Sequence, residues 1–202
     1  MFNFHPYPHQ QALIESKSRQ SFIVGPRATG KTMGLLSVMA SRLRRGYGSS
    51  YRAALVSTNP HHLQFLVGQA TEAFEWVKYS FRRDPFPMFV FPDGGTFIGK
   101  VVETGNELCG LELNIVAFDH LTRFTREQYK QIVDRLRDLP TAPARIVASV
   151  EKERLFEPLP DWIEYELAQP ANSIYLTSVV SERPKRRASE YLNPILGVER
   201  PV

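Results

Sequence analysis

Gly25-Pro26-Arg27-Ala28-Thr29-Gly30-Lys31-Thr32 fits the pattern G-x-x-x-x-G-K-[ST] at every fixed position. What stands on either side decides whether such an octapeptide carries chemistry. Upstream, Ser21 to Val24 is an apolar run that ends on Gly25, as a buried strand would. Downstream, Leu35, Leu36, Met39 and Leu43 recur on one face of a helical stretch. In a strand, loop, helix order the loop's N–H groups close around phosphate oxygens at the positive end of the helix. Gly25, Pro26, Arg27, Ala28, Thr29, Gly30, Lys31 and Thr32 are therefore expected to line the phosphates of ATP. Lys31 would reach the β and γ phosphates, and the Thr32 hydroxyl would hold Mg²⁺.

Working outward, the chain alternates short apolar runs with helical patterns, and it contains no internal repeat. Arg52 to Ser57 reads as a second strand. Asn59 then caps a helix that starts at Pro60 and carries Leu63, Leu66, Val67, Ala70 and Phe74 on one face. Met88 to Phe91, a turn at Asp93-Gly94-Gly95, and Thr96 to Glu103 form a predicted hairpin. Asn114 to Phe118 is a continuous apolar run after its first residue, as a strand covered on both faces is. Thr125 and Gln128 make a capping box before a helix striped with Tyr129, Ile132, Val133 and Leu136. Ala144 to Ser149 and Ser173 to Val179 complete the expected strands, and from Glu182 the sequence turns to Pro, Arg and Lys. This pattern predicts an α/β fold with a mostly parallel central sheet and helices on both faces, over residues 1–180. A basic, proline-containing tail or linker is expected over 181–202.

Composition narrows the class. With 202 residues, 43% of them hydrophobic and 23% charged, the chain suits one buried core rather than a disordered polymer. It has no run of eighteen apolar residues and its first residues lack a signal-peptide layout, so no membrane association and a cytoplasmic location are expected. The single cysteine, Cys109, excludes an intramolecular disulfide and reads as small buried filler. A net charge of +4 leans toward a polyanionic partner.

Asp119 follows the apolar run Ile115-Val116-Ala117-Phe118, which should bring its carboxylate to the carboxyl edge of the sheet, beside the P-loop and within reach of Mg²⁺. The stretch from Gly110 through Asp119-His120 to Leu136-Arg137 resembles the Walker B region of phage terminase large subunits. Phe91-Pro92-Asp93-Gly94-Gly95-Thr96 is similar to the hairpin preceding it in that family. The resemblance spans roughly Tyr7 to Leu136 and implies a P-loop NTPase of the RecA-like, ASCE type that acts as an ATP-hydrolysing DNA translocase. It implies a homo-oligomeric ring, double-stranded DNA as the cargo, and a portal protein and small terminase subunit as partners, in the host cytoplasm if the chain is viral. It also assigns roles: Gln10 in Pro8-His9-Gln10 to the adenine edge, Arg27 to the γ phosphate, and Ser149 to coupling hydrolysis with movement.

Two departures qualify that picture. The family places a catalytic glutamate directly after the Walker B aspartate, whereas this chain has His120. A positioned base contributes roughly 10² to 10⁴ in rate, so slow turnover is expected unless His120, Glu103 or Glu107 takes the role. Complete terminases also carry a metal-dependent nuclease domain after the ATPase, whereas the sequence here stops at Val202, so DNA cutting cannot be claimed for it. A nucleotide-binding assembly module without turnover and another ring ATPase or helicase fragment are the alternative readings. His5, His9, His61 and His62 show no metal-ligand spacing and read as surface or structural residues. Lys78 to Arg83 and Arg183 to Arg187 are basic stretches that could touch DNA phosphates.

Overall fold

The central strands are apolar along nearly their whole length, because both faces of the sheet are covered. The computed structural model describes residues 6–44, 50–74, 78–140, 142–152 and 158–177; the tail expected from residue 181 lies outside them. Its strands are β1 (Gln20–Gly25), β2 (Arg52–Ser57), β3 (Ser80–Arg82), β4 (Met88–Val90), β5 (Thr96–Val101), β6 (Ile115–Phe118), β7 (Arg145–Glu151) and β8 (Ser173–Leu176). Its helices are α1 (Pro8–Glu15), α2 (Lys31–Arg44), α3 (Pro60–Ala73), α4 (Arg126–Val133) and α5 (Asp161–Leu167). One sheet runs β3-β4-β5-β2-β6-β7-β1-β8. The β3–β4 and β4–β5 pairs are antiparallel and all others parallel.

Alternation along each strand feeds two cores. Ile23, Leu55, Ala117 and Val147 point to a layer shared with Leu13 of α1, Leu35 and Met39 of α2, and Leu63 and Leu66 of α3. Their neighbours Phe22, Val56, Phe118 and Ala148 point to the opposite layer, with Tyr129 and Ile132 of α4 and Ile163 of α5. The two-sided cover expected from the sequence is thus present. So is the capping box of α4: the Thr125 hydroxyl accepts from the Gln128 N–H at 3.2 Å while Gln128 Oε1 accepts from the Thr125 N–H at 2.8 Å.

Some elements differ from expectation. Strand β7 runs past Ser149 to Glu151, because residue 151 still pairs with Gly25. β3 lies within the basic stretch Lys78 to Arg83 at the sheet edge, where all three of its residues are exposed and Phe81 rests on Phe89. Neither α1 nor α5 has an apolar stripe long enough to have marked it: the only fully buried residues are Gln10 and Leu13 in one and Ile163 in the other. Cys109 is exposed rather than buried. It follows a short 3₁₀ turn at Asn106–Leu108, in which Leu108 takes the buried place instead.

Candidate nucleotide-binding site

Parallel pairing sets every carboxyl terminus of the central strands along one edge, and register decides which side chains meet there. Gly25 lies opposite Glu151, Ile23 opposite Ser149, and Phe118 opposite Ala148. β7 therefore inserts between the P-loop strand β1 and β6, the strand that delivers Asp119.

The P-loop is held by its own backbone and by side chains from outside it, the buried Gln10 among them. Ala28 and Gly30 both have left-handed backbone, at φ 60° and 81°. A Cβ on Gly30 would stand 2.8 Å from the Gln10 amide nitrogen and would displace it, besides straining the left-handed backbone. Gln10 is buried; its Oε1 accepts from the Tyr7 N–H at 3.0 Å and its Nε2 donates to the Gly30 carbonyl at 3.0 Å. Both ends of its amide thus bond to backbone and tie α1 to the loop. Thr29 Oγ1 donates to the Pro26 carbonyl and lies 2.7 Å from Thr177 Oγ1. The Lys31 ammonium lies across the loop, donating to the Gly25 carbonyl at 2.9 Å and to the Pro26 carbonyl.

Opposite the loop stands a corner built from five side chains. The Asp119 carboxylate is buried, with Oδ1 accepting from Ser149 Oγ at 2.8 Å and from Thr32 Oγ1 at 3.1 Å. Its Oδ2 lies 2.7 Å from His62 Nε2. Burial by itself would push the Asp119 carboxyl upward; the His62 hydrogen bond, the charge of His120 and the Ser149 hydroxyl outweigh it and hold the group below its ordinary range. Ser149 Oγ also accepts the His120 N–H at 2.7 Å, so one hydroxyl ties β7 to both residues at the end of β6. His120 itself has φ 57°. Its Nδ1 meets Glu151 Oε2 at 2.7 Å, and Glu151 also pairs with the guanidinium of Arg27. Burial raises the Glu151 carboxyl, but the bonds from Arg27 and His120 dominate and keep it ionised.

Most of the side chains singled out in the sequence thus converge: Arg27, Lys31, Thr32, Asp119, His120 and Ser149. Two residues were missed. Glu151 lay past the expected end of its strand. His62, read as a surface or structural residue, in fact reaches Asp119 from the first turn of α3, a placement that no local spacing reveals. His61 is exposed, His9 stacks on Tyr7 with its pKa lowered by burial, and His5 lies outside the described residues. Glu107 is spent elsewhere. Its carboxylate accepts the N–H groups of Glu103, Thr104 and Gly105, and against an opposing burial effect these hold its pKa at about 2.

The Thr32 hydroxyl and the Asp119 carboxylate form an oxygen pair that fits Mg²⁺, whose preferred donors are oxygens. His62, Asp119 and His120 also form a group whose ligand atoms lie within 4.8 Å of one another. No helix among the described residues is long and apolar enough to cross a membrane.

No family model and no curated protein matches the chain. Solved structures do. The large terminase of a thermophilic bacteriophage in complex with ADP superposes with a TM-score of 0.67 at 12% identity, over 87% of this chain and 46% of that one. The HK97 bacteriophage large terminase gives 0.61 at 13% identity, over 98% and 45%. The large terminase ATPase domain of Thermus phage P74-26 gives 0.54 at 14% identity, over 87% and 82%. The chain thus spans less than half of the two large terminases and most of the isolated ATPase domain. Its fold, a mostly parallel sheet with helices on both faces, is the one seen in terminase ATPase domains.

Proposed function

We propose that this chain binds ATP with Mg²⁺ and serves as the ATPase domain of a motor that packages double-stranded DNA into a viral capsid. The observation that carries the reading is the meeting of Lys31, Thr32 and Asp119 at one sheet edge, within a fold shared with terminase ATPase domains. One of the matching terminases was solved with ADP and with ATP-gamma-S. Backbone N–H groups from Gly25 to Thr32 close around the phosphates, and Lys31 exchanges two carbonyls for phosphate oxygens. Thr32 and Asp119 would hold Mg²⁺, which would supply neutralisation of the charge on the phosphoryl group. Gln10 sets the loop's position. Arg27 turns from Glu151 to the γ phosphate.

Water is oriented by His120 Nε2, with Glu151 behind it on Nδ1 fixing the tautomer and stabilising the imidazolium as a triad acid does. Glu151 thereby supplies the negative charge that the family's glutamate would bring. Ser149 bridges Asp119 and His120 and transmits the state of the site into β7. Several copies form a ring on a portal protein, with a small terminase subunit, in the cytoplasm of the host. DNA is gripped through phosphates without sequence preference, and exposed Lys78 and Arg82–Arg83 are candidates for that contact.

His120 in the glutamate position favours a second reading, an assembly module that binds ATP without turnover. Two measurements decide. Lys31→Ala should weaken binding of a fluorescent ATP analogue by about 100-fold, the scale of two charge-assisted hydrogen bonds. An unchanged affinity removes the assignment. Phosphate release at high protein concentration, stimulated by duplex DNA, supports the motor; tight ATP binding with no release supports the module.

A further inference from the structure

We infer that His62 Nε2, Asp119 Oδ2 and His120 Nε2 form a binding site for a zinc-type divalent transition-metal ion, assembled without nucleotide. Asp119 Oδ2 lies 2.7 Å from His62 Nε2 and 3.7 Å from His120 Nε2, and the trio falls within 4.8 Å. Donors around an ion at about 2.1 Å stand roughly 3 to 3.5 Å apart, so small rotations of three side chains complete the set. Asp119 Oδ1 accepts from Ser149 at 2.8 Å and takes the shorter of the two Thr32 contacts, 3.1 against 3.3 Å, so Oδ2, which faces both imidazoles, is the coordinating oxygen.

The partners of His120 point the same way. Its Nδ1 faces the Glu151 carboxylate at 2.7 Å, which keeps the ring hydrogen on that side and the lone pair on Nε2. At 3.7 Å, Nε2 is too far from Asp119 for a hydrogen bond, and its lone pair faces the Asp119–His62 pair. A carboxylate behind the imidazole is the arrangement that orients metal-bound histidines. The two rings meet edge to face with centroids 5.0 Å apart. On binding, the hydrogen that His62 Nε2 gives to Asp119 shifts to Nδ1, and that ring stays neutral.

Two imidazoles and one carboxylate suit zinc, iron, cobalt or nickel, whereas Mg²⁺ prefers oxygens. The site borders the proposed Mg²⁺ position and shares Asp119 with it. One consequence rests on the ATPase reading: an ion on His120 Nε2 takes the lone pair from the water, so ATP still binds while turnover falls.

The test uses untagged, nucleotide-free protein titrated with Co²⁺ and followed by visible absorption. One Co²⁺ per chain is expected, displaced by Zn²⁺ and not by a large excess of Mg²⁺. His62→Gln and His120→Asn should each weaken Co²⁺ at least tenfold, asparagine being chosen because it tolerates left-handed backbone. Glu151→Ala should cost about 10- to 100-fold through lost orientation, and His61→Ala nothing. Circular dichroism of the metal-free variants checks their folding. In the Co²⁺-loaded parent, two exchangeable imidazole N–H resonances should be strongly shifted, one per coordinated ring. Co²⁺ binding no tighter than Mg²⁺, no shifted pair, or unchanged affinity in both histidine variants overturns the site. The fluorescent ATP analogue, run on the same samples without transition metal, separates this outcome from failure of the nucleotide reading.

Discussion

The two sides of the site are built by opposite means. The P-loop is eight consecutive residues whose work, in the proposed function, is done by backbone N–H groups, and the buried Gln10 side chain bonds its backbone from outside. The corner facing it draws His62 from α3, Asp119 and His120 from the end of β6, and Ser149 and Glu151 from β7, and its work is done by side chains. A backbone-made site has to be written contiguously in the chain. A side-chain-made site needs only register and proximity.

That contrast predicts where substitutions bite. In the corner, removing charge should cost rate rather than binding. Glu151→Gln is expected to lower kcat about 10²-fold, the lower end of what a positioned base provides, while ATP affinity stays within about twofold because no phosphate contact is lost. Single-turnover kinetics beside analogue binding measure both. An equal loss in binding would mean that Glu151 acts through the loop, by way of Arg27, and the two sides would no longer be separable.

In the loop, backbone substitutions should cost stability. Gly30→Ala forces a Cβ into left-handed backbone at φ 81°, 2.8 Å from Gln10 Nε2. The expected loss is about 2 kcal/mol in urea unfolding, from the left-handed penalty plus displacement of the Gln10 amide. Gln10→Ala in the same background should relieve the steric part, so the double variant should lose less than the sum. Simple additivity would show that Gln10 does not brace the loop.

The same contrast explains what was legible in the sequence. The loop, the strand before it, Asp119 and the two-sided sheet could be read because apolar runs and fixed spacing report backbone environment. Strand β7 seemed to end at Ser149 because Glu151 and Lys152 look like surface residues. Pairing with Gly25 extends it, and that extension creates the partner of His120. His62 was hidden because Asp119 lies 57 positions away and only the packing of α3 on the sheet closes the gap. α1 escaped notice because a buried glutamine carries one of its two inward positions. Cys109 went wrong since composition says how often cysteine is buried, and a turn that sinks Leu108 leaves the next residue outside.

The smallest effect compares the two non-glycine residues with positive φ among the described residues, one on each side of the site: Ala28 at 60° and His120 at 57°. Each bears a left-handed penalty of about 1 to 2 kcal/mol, part of which glycine would give back through its larger unfolded-state entropy. Ala28 is exposed, and nothing described depends on its methyl group. Ala28→Gly is therefore expected to stabilise the fold by about 0.5 kcal/mol, with ATP affinity unchanged. His120→Gly relieves the same backbone but deletes the hydrogen bond to Glu151 and leaves that carboxylate with Arg27 alone. A net destabilisation of about 1 kcal/mol is expected, since a bond to a charged group contributes roughly 1.5 to 3 kcal/mol. The difference between the two variants, read from urea midpoints at constant m-value, measures what the imidazole contributes to holding the corner together. If both variants stabilise equally, the His120–Glu151 contact adds nothing to the fold, and the strain at His120 is kept for chemistry alone.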